Sequence, residues 1–99
     1  MAMDIQIQDE NGNALARYKG PTLGLAFLKL APAKGACLRF VLPWADATFN
    51  QSQIKELAAE LQDIINSGVE SARLEEAKAL LKFISNAKGA HTYVKFIGD

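Results

Sequence analysis

The chain has 99 residues, of which 49% are hydrophobic, which is typical of one globular domain. Eleven basic and eleven acidic residues give a formal net charge of zero, so we expect neither nucleic acid nor an anionic membrane as a partner. The single cysteine, Cys37, has no internal disulfide partner, and residues 1–8 lack the features of a secretory signal. We therefore predict one domain over residues 1–99, located in the cytoplasm.

Residues 4–19 alternate apolar and polar side chains around the dipeptide Asn11-Gly12. This dipeptide suits the positive φ angles of a two-residue type I′ turn, so the pattern predicts a β-hairpin. Centring the turn there pairs Ile7 with Ala16. The alternation also predicts one dry face and one wet face.

Residues 25–42 indicate a second hairpin with its loop at residues 32–35. Both faces of its two strands are mainly apolar, which is typical of strands covered on two sides. Pro43 is expected to end the second strand, because proline cannot donate a hydrogen bond to a sheet.

Two helices and a strand follow. Asn50, with Gln53 three residues later, forms a capping-box pattern, and apolar residues recur at helical spacing as far as residue 65. A second helix is predicted at about 70–87 and a strand at about 92–97. The predicted class is α+β, with element order ββββααβ: a mainly antiparallel sheet carries an antiparallel helical hairpin on one face.

Two helices cover only one face of a five-stranded sheet. The other face of the second hairpin would then expose Ala26, Leu28, Leu30, Cys37 and Val41. Because an apolar patch of this kind commonly marks an association surface, we predict a non-enzymatic protein-interaction module that forms a homodimer or binds a protein partner there. The alternative is that the first hairpin curls over the patch and closes the core without a partner.

The predicted chain path also suggests a ligand site at one end of the sheet. It places the only histidine near the segment that leaves the fourth strand and enters the first helix. The candidate residues are His91, Trp44, Asp46, Thr48 and Asn50. An aromatic wall, a carboxylate beside an imidazole and a helix N-terminus suit a small molecule or an anion. The alternative function is thus a small-molecule binder or enzyme, whereas the simpler interpretation gives these residues local structural roles.

Other chemistry receives no support from the sequence. The same path separates Cys37 from His91 by about 20 Å, whereas a catalytic dyad needs about 3 Å, so we expect an inert thiol. Glu56, Glu60 and Asp63 share one side of the first helix and are predicted to form a solvated face. No motif for catalysis, metal binding or cofactor binding occurs in the chain.

Two short stretches carry a resemblance to a known group of proteins. Residues 48–50, TFN, precede the first helix, and residues 91–99, HTYVKFIGD, close the chain. They resemble small bacterial proteins with a TxFN turn and a C-terminal HTYxKFxGD tail. The resemblance implies a bacterial, cytoplasmic protein and assigns no activity, cofactor or catalytic residue.

Overall fold

The sheet has four strands in the computed structural model, which describes residues 3–98. The strands are β1 (Asp4–Gln8), β2 (Ala14–Arg17), β3 (Ala47–Phe49) and β4 (Tyr93–Ile97). Their spatial order is β2-β1-β4-β3, and each neighbouring pair is antiparallel. The predicted α+β class with a mainly antiparallel sheet is confirmed.

Two helices, α2 (Gln51–Asn66) and α3 (Ser71–Ile84), form the predicted helical hairpin. The capping box at the start of α2 is present: Asn50 accepts the Gln53 backbone N–H at 3.0 Å, and the Gln53 side chain accepts the Asn50 N–H at 2.9 Å. Both bonds satisfy N–H groups that a helix leaves free at its first turn.

The core lies between the helices and one face of the sheet. Ile5 and Ile7 from β1 and Val94 and Phe96 from β4 are all at most 3% exposed. Their spacing by two residues places them on the same face of the sheet. Phe96 also meets Phe49 of β3 edge-to-face, with ring centroids 5.8 Å apart, and α2 contacts both of these strands.

The first hairpin keeps the predicted pairing of Ile7 with Ala16, but its turn is wider than predicted. The Asp9 carboxylate accepts the backbone N–H groups of Asn11 and Asn13, each at 2.9 Å. Asn11 does not adopt the positive φ angle of a type I′ turn. The prediction of a two-residue turn was wrong because the Asp9 side chain accepts hydrogen bonds from the backbone of the turn.

The second predicted hairpin is absent. Residues 25–42 contain the single helical turn α1 (Leu25–Leu28) and a 3-10 turn at Leu38–Phe40, with irregular chain between them. The buried apolar residues of this segment belong to the main core, and α1 contacts α3. Periodicity alone does not separate a strand covered on both faces from other buried segments, and this limit explains the error.

The predicted apolar sheet face therefore does not exist. Cys37 and Val41 are 0% and 2% exposed, Leu28 and Leu30 are partly buried against the core, and only Ala26 is exposed. The Cys37 thiol bonds to Gln53 of α2, and α1, which contains Leu28, contacts α3. The structure therefore removes the exposed face on which the homodimer was predicted, because most of the set lies inside one subunit.

The sheet face that carries no helices is polar. Its central cross-strand row contains Arg17, Gln6, Lys95 and Thr48, from β2 to β3. Thr48, a predicted ligand residue, thus lies opposite Lys95 in the sheet.

In the part of the chain that the structure describes, no helix has the length and apolarity needed to cross a membrane.

A buried carboxylate fixes the irregular segment to α2. Glu60 is 7% exposed, and its two oxygens accept the backbone N–H groups of residues 36–38 at 3.0 to 3.1 Å. Hydrogen bonds to a charged acceptor are the strong ones in proteins. The predicted solvated acidic face is therefore wrong for Glu60, although Glu56 and Asp63 are exposed as expected.

Candidate functional site

The structure separates His91 from Trp44 and Asp46 of the predicted ligand site, whereas Asn50 lies at the same end of β4 as His91. Ala47 of β3 pairs with Phe96, near the end of β4, so Trp44 and Asp46 lie beyond that end. His91 precedes the start of the same strand. About six residues of extended chain, or about 20 Å, lie between them, and the predicted grouping is not formed.

Most members of that set have local partners instead. The His91 Nδ1 atom lies 3.4 Å from a Glu10 carboxylate oxygen, and both side chains are largely exposed. Asp46 lies 3.7 Å from the Lys95 ammonium, and the Asn50 side chain is used in the helix cap. These contacts match the simpler interpretation, in which the residues have structural roles.

Cys37 is a poor nucleophile in this structure. Its thiol is buried and donates to the Gln53 carbonyl oxygen at 3.2 Å. Burial, and then the nearby charge of Glu60, raise the pKa of Cys37 to about 11. Among residues 3–98, no group of three or more His, Cys, Asp or Glu side chains is arranged to hold a metal ion.

We expect the native Cys37 thiol to react with an aromatic disulfide reagent at pH 8 at least about 100-fold more slowly than the unfolded chain. A pKa of about 11 leaves little thiolate at that pH, and burial limits access. Because the folded pKa is raised, the stabilisation linked to the protonated thiol is complete below about pH 8.5 and is lost as the pH rises towards 11. Stopped-flow absorbance with and without denaturant measures the ratio, and equal rates would contradict the buried thiol.

A different part of the molecule exposes large apolar side chains. Of the five exposed large hydrophobic residues in the described chain, four lie between residues 25 and 44. Leu25 is 47% exposed, Phe40 53%, Leu42 39% and Trp44 66%. The irregular segment thus carries most of the exposed apolar surface.

A groove of about 170 Å³ lies within this segment, and we call it the Trp44 groove. Its apolar lining includes Leu25, Leu28, Val41, Leu42 and Trp44, and its charged lining is Lys29 and Arg39. Apolar walls with a few polar groups are the usual composition of a binding surface.

Local structure explains why the groove stays open. The helical turn α1 directs Phe27 into the core at 1% exposure and leaves Leu25 outside. The 3-10 turn likewise buries Leu38 and exposes Phe40. Each short turn therefore contributes one side chain to the core and one to the surface, whereas a strand would have placed both members of each pair on one face.

The backbone beneath Trp44 lies close to the end of β4, and Gly98 makes this approach possible. A Cβ atom at Gly98 would lie 2.7 Å from the Ala45 oxygen and 2.8 Å from the Trp44 carbonyl carbon. We expect Gly98→Ala to lower the free energy of unfolding by about 1–3 kcal/mol through overpacking and to shift the Trp44 emission. Gly24→Ala is the matched control because no atom lies within 4 Å of its added Cβ. Urea unfolding of both variants checks this, and equal losses would contradict the close approach.

At least three other depressions are larger than the Trp44 groove. Two have volumes of about 380 and 320 Å³ and lie along α3, where Lys82 borders both. The third, of about 230 Å³, is lined by Gln8, Asp9, Glu10, Gly12, Thr48 and Tyr93. None of the described residues that line the three is an exposed large hydrophobic side chain. The surface with the most exposed large apolar side chains is therefore not the largest depression.

The sequence contained one signal for the groove. Residues 11–45 include five basic residues and no acidic one. Such local asymmetry in a chain of zero net charge indicates a surface that is positively charged.

The chain matches no protein-family model, no curated protein and no solved structure.

Proposed function

We propose that the protein is a non-enzymatic protein-interaction module whose Trp44 groove receives an apolar side chain of a partner protein. The observation that carries the proposal is the concentration of exposed large apolar side chains around one groove. Trp44, at 66% exposure, is the most accessible of them. Tryptophan is enriched among the residues that dominate binding energy at protein interfaces.

The dimensions of the groove support an apolar occupant. Its volume of about 170 Å³ is close to that of a cavity of about 150 Å³ known to accept a benzene-sized group. One leucine or phenylalanine side chain of a partner matches this space. Burial of apolar surface stabilises a complex by about 25 cal/mol per Å², so covering Trp44 and its neighbours supplies the driving force.

The alternative, a small-molecule or enzymatic site at His91, has weaker support. Such a site needs several polar groups that converge on one pocket. His91 is exposed, pairs with Glu10 and lies about 20 Å along the strand from Asp46. Cys37 is buried, and the pKa of its thiol is raised.

The cytoplasmic setting belongs to the same proposal. A single buried cysteine without a disulfide partner fits a reducing compartment. The resemblance of residues 48–50 and 91–99 to small bacterial proteins supports a bacterial origin.

Selection from a displayed library of random 12-residue peptides tests the docking role. We expect enriched peptides to bind the wild type and Leu15→Asp alike and to lose at least about tenfold in affinity for Leu42→Asp, which places a charge in the groove. Leu15 is the matched control because it is the exposed large hydrophobic residue outside residues 25–44. Binders that are indifferent to Leu42→Asp, or a selection that yields none, would contradict the proposal.

Analytical ultracentrifugation of the same variants identifies one particular occupant. Dimerisation of the wild type that disappears in Leu42→Asp and persists in Leu15→Asp would make a second copy of the chain the partner. A monomer at all concentrations leaves the groove for a different protein.

A further inference from the structure

Resting on the docking role proposed above, we infer that the partner segment is acidic as well as apolar. It places an apolar side chain in the Trp44 groove and carboxylates against Lys29 and Arg39. The juxtaposition of the two cations with the apolar walls of the groove carries this inference.

Among residues 3–98, no acidic side chain forms an ion pair with the basic residues of this region. None of the ion pairs within residues 3–98 involves Lys29, Lys34 or Arg39. The stretch from residue 11 to residue 45 contains no acidic residue, and the nearby Glu60 carboxylate is used by the backbone N–H groups of residues 36–38. Complementary charge across an interface selects partners and steers their approach, so cations without an ion pair in the described chain favour a partner that brings carboxylates.

Arg39 is held in place before any partner arrives. Its Nε–H donates to the Gly35 carbonyl oxygen at 2.5 Å, and its guanidinium lies 4.3 Å from the centre of the exposed Phe40 ring. An arginine with a restricted side chain loses less conformational freedom on binding a carboxylate. The exposed aromatic ring beside it extends the apolar surface that the same partner covers.

A second copy of the chain is a less favourable occupant. Most symmetric dimers use the same patch on both subunits. Pairing two Trp44 grooves would bring Lys29 and Arg39 of one subunit towards the same residues of the other. Like charges at an interface oppose association.

Single-stranded nucleic acid also combines negative charge with planar groups that stack on aromatic rings. Its binding requires a basic path along many phosphates. Only Lys29 and Arg39 line the groove as cations, the remaining lining is apolar, and the net charge of the chain is zero. An acidic peptide fits this mixture better, and an oligonucleotide provides a direct comparison.

Four probes test the inference on the full chain. The first is a 12-residue peptide of alternating glutamate and leucine with a central phenylalanine. The second replaces each glutamate with lysine, the third replaces leucine and phenylalanine with alanine, and the fourth is a 12-nucleotide oligothymidylate. Emission of Trp44, the only tryptophan, reports binding at the groove, and amide chemical shifts report its location.

We expect the acidic apolar peptide to bind at least about tenfold more tightly than each other probe and to weaken as salt rises. Lys29→Glu combined with Arg39→Glu should reverse the preference between the glutamate and lysine peptides. Lys78→Glu combined with Lys82→Glu, on α3, is the matched control and should leave the preference unchanged. If Arg39→Glu disturbs folding, which circular dichroism detects, Lys29→Glu alone should bring the logarithm of the affinity ratio of the glutamate and lysine peptides close to zero.

The outcomes separate the two proposals. Equal, Leu42-dependent binding of the glutamate and lysine peptides overturns the acidic partner and retains the docking role. Tighter binding of the oligonucleotide overturns the peptide in favour of nucleic acid. No Trp44 or chemical-shift response to any probe, together with failure of the peptide selection, overturns both.

Discussion

Phe27→Ala is expected to lower the free energy of unfolding by about 4 kcal/mol, since removal of a fully buried phenylalanine side chain costs about 3–5 kcal/mol. Phe27 is 1% exposed and lies in the single-turn helix α1. Phe27 belongs to the main core although its segment contains only short helical turns. The loss has two sources: the apolar surface no longer buried and the cavity that remains.

Leu25→Ala is the control for this substitution, and it distinguishes the helical turn from the strand that the sequence indicated. A strand would place Leu25 and Phe27 on one face, so the two substitutions would have similar effects. In the structure Leu25 is 47% exposed, and we expect its replacement to cost less than about 1 kcal/mol. Urea unfolding followed by circular dichroism measures both values. Comparable losses would refute the helical turn.

Glu60→Gln should lower the free energy of unfolding by about 3 kcal/mol, because hydrogen bonds to charged groups contribute about 1.5–3 kcal/mol and buried donors are costly to leave unpaired. The carboxylate accepts three backbone N–H groups, two at one oxygen and one at the other. The amide of glutamine has nearly the same shape but replaces one acceptor with a donor. At least one of the N–H groups of residues 36–38 then loses its partner.

Glu56→Gln makes the same chemical change one helical turn earlier and at an exposed position. We expect it to change the free energy of unfolding by less than about 0.5 kcal/mol. Amide hydrogen exchange locates the effect: the amides of residues 36–38 should lose protection in Glu60→Gln and keep it in Glu56→Gln. Equal effects of the two variants would show that the buried carboxylate does not hold the segment.

The Glu60 contact also connects stability to the proposed docking surface. Residues 36–38 lead directly into Arg39, which lines the Trp44 groove. The Glu60 carboxylate on α2 thus fixes the position of the backbone from which the Arg39 side chain starts. This carboxylate contributes to the groove without lining it.

The sequence by itself determined the elements that depend on local interactions. The capping box at Asn50 and Gln53 and the apolar spacing of α2 lie within one short stretch, so their geometry follows from near neighbours. The pairing of Ile7 with Ala16 similarly depends on a nearby turn. Such signals are independent of how distant parts of the chain meet.

Only the tertiary structure determined the conformation of residues 25–42. Their apolar side chains suited a strand, yet the backbone groups of residues 36–38 bond to Glu60, more than 20 residues away along the chain. No local pattern distinguishes a buried carboxylate from a solvated one on the same helix. The spacing of the acidic residues on α2 therefore predicts a solvent-exposed face, although Glu60 is buried.

The separation of His91 from Trp44 and Asp46 likewise came from long-range pairing. Which end of β4 meets the segment before α2 depends on the register of β3 against β4, and two strands far apart in sequence carry no local record of that register. The Trp44 groove likewise depends on contacts between segments that are far apart in the sequence. Local chemistry set the elements, whereas the contacts between distant segments determined which apolar side chains entered the core and which remained for a partner.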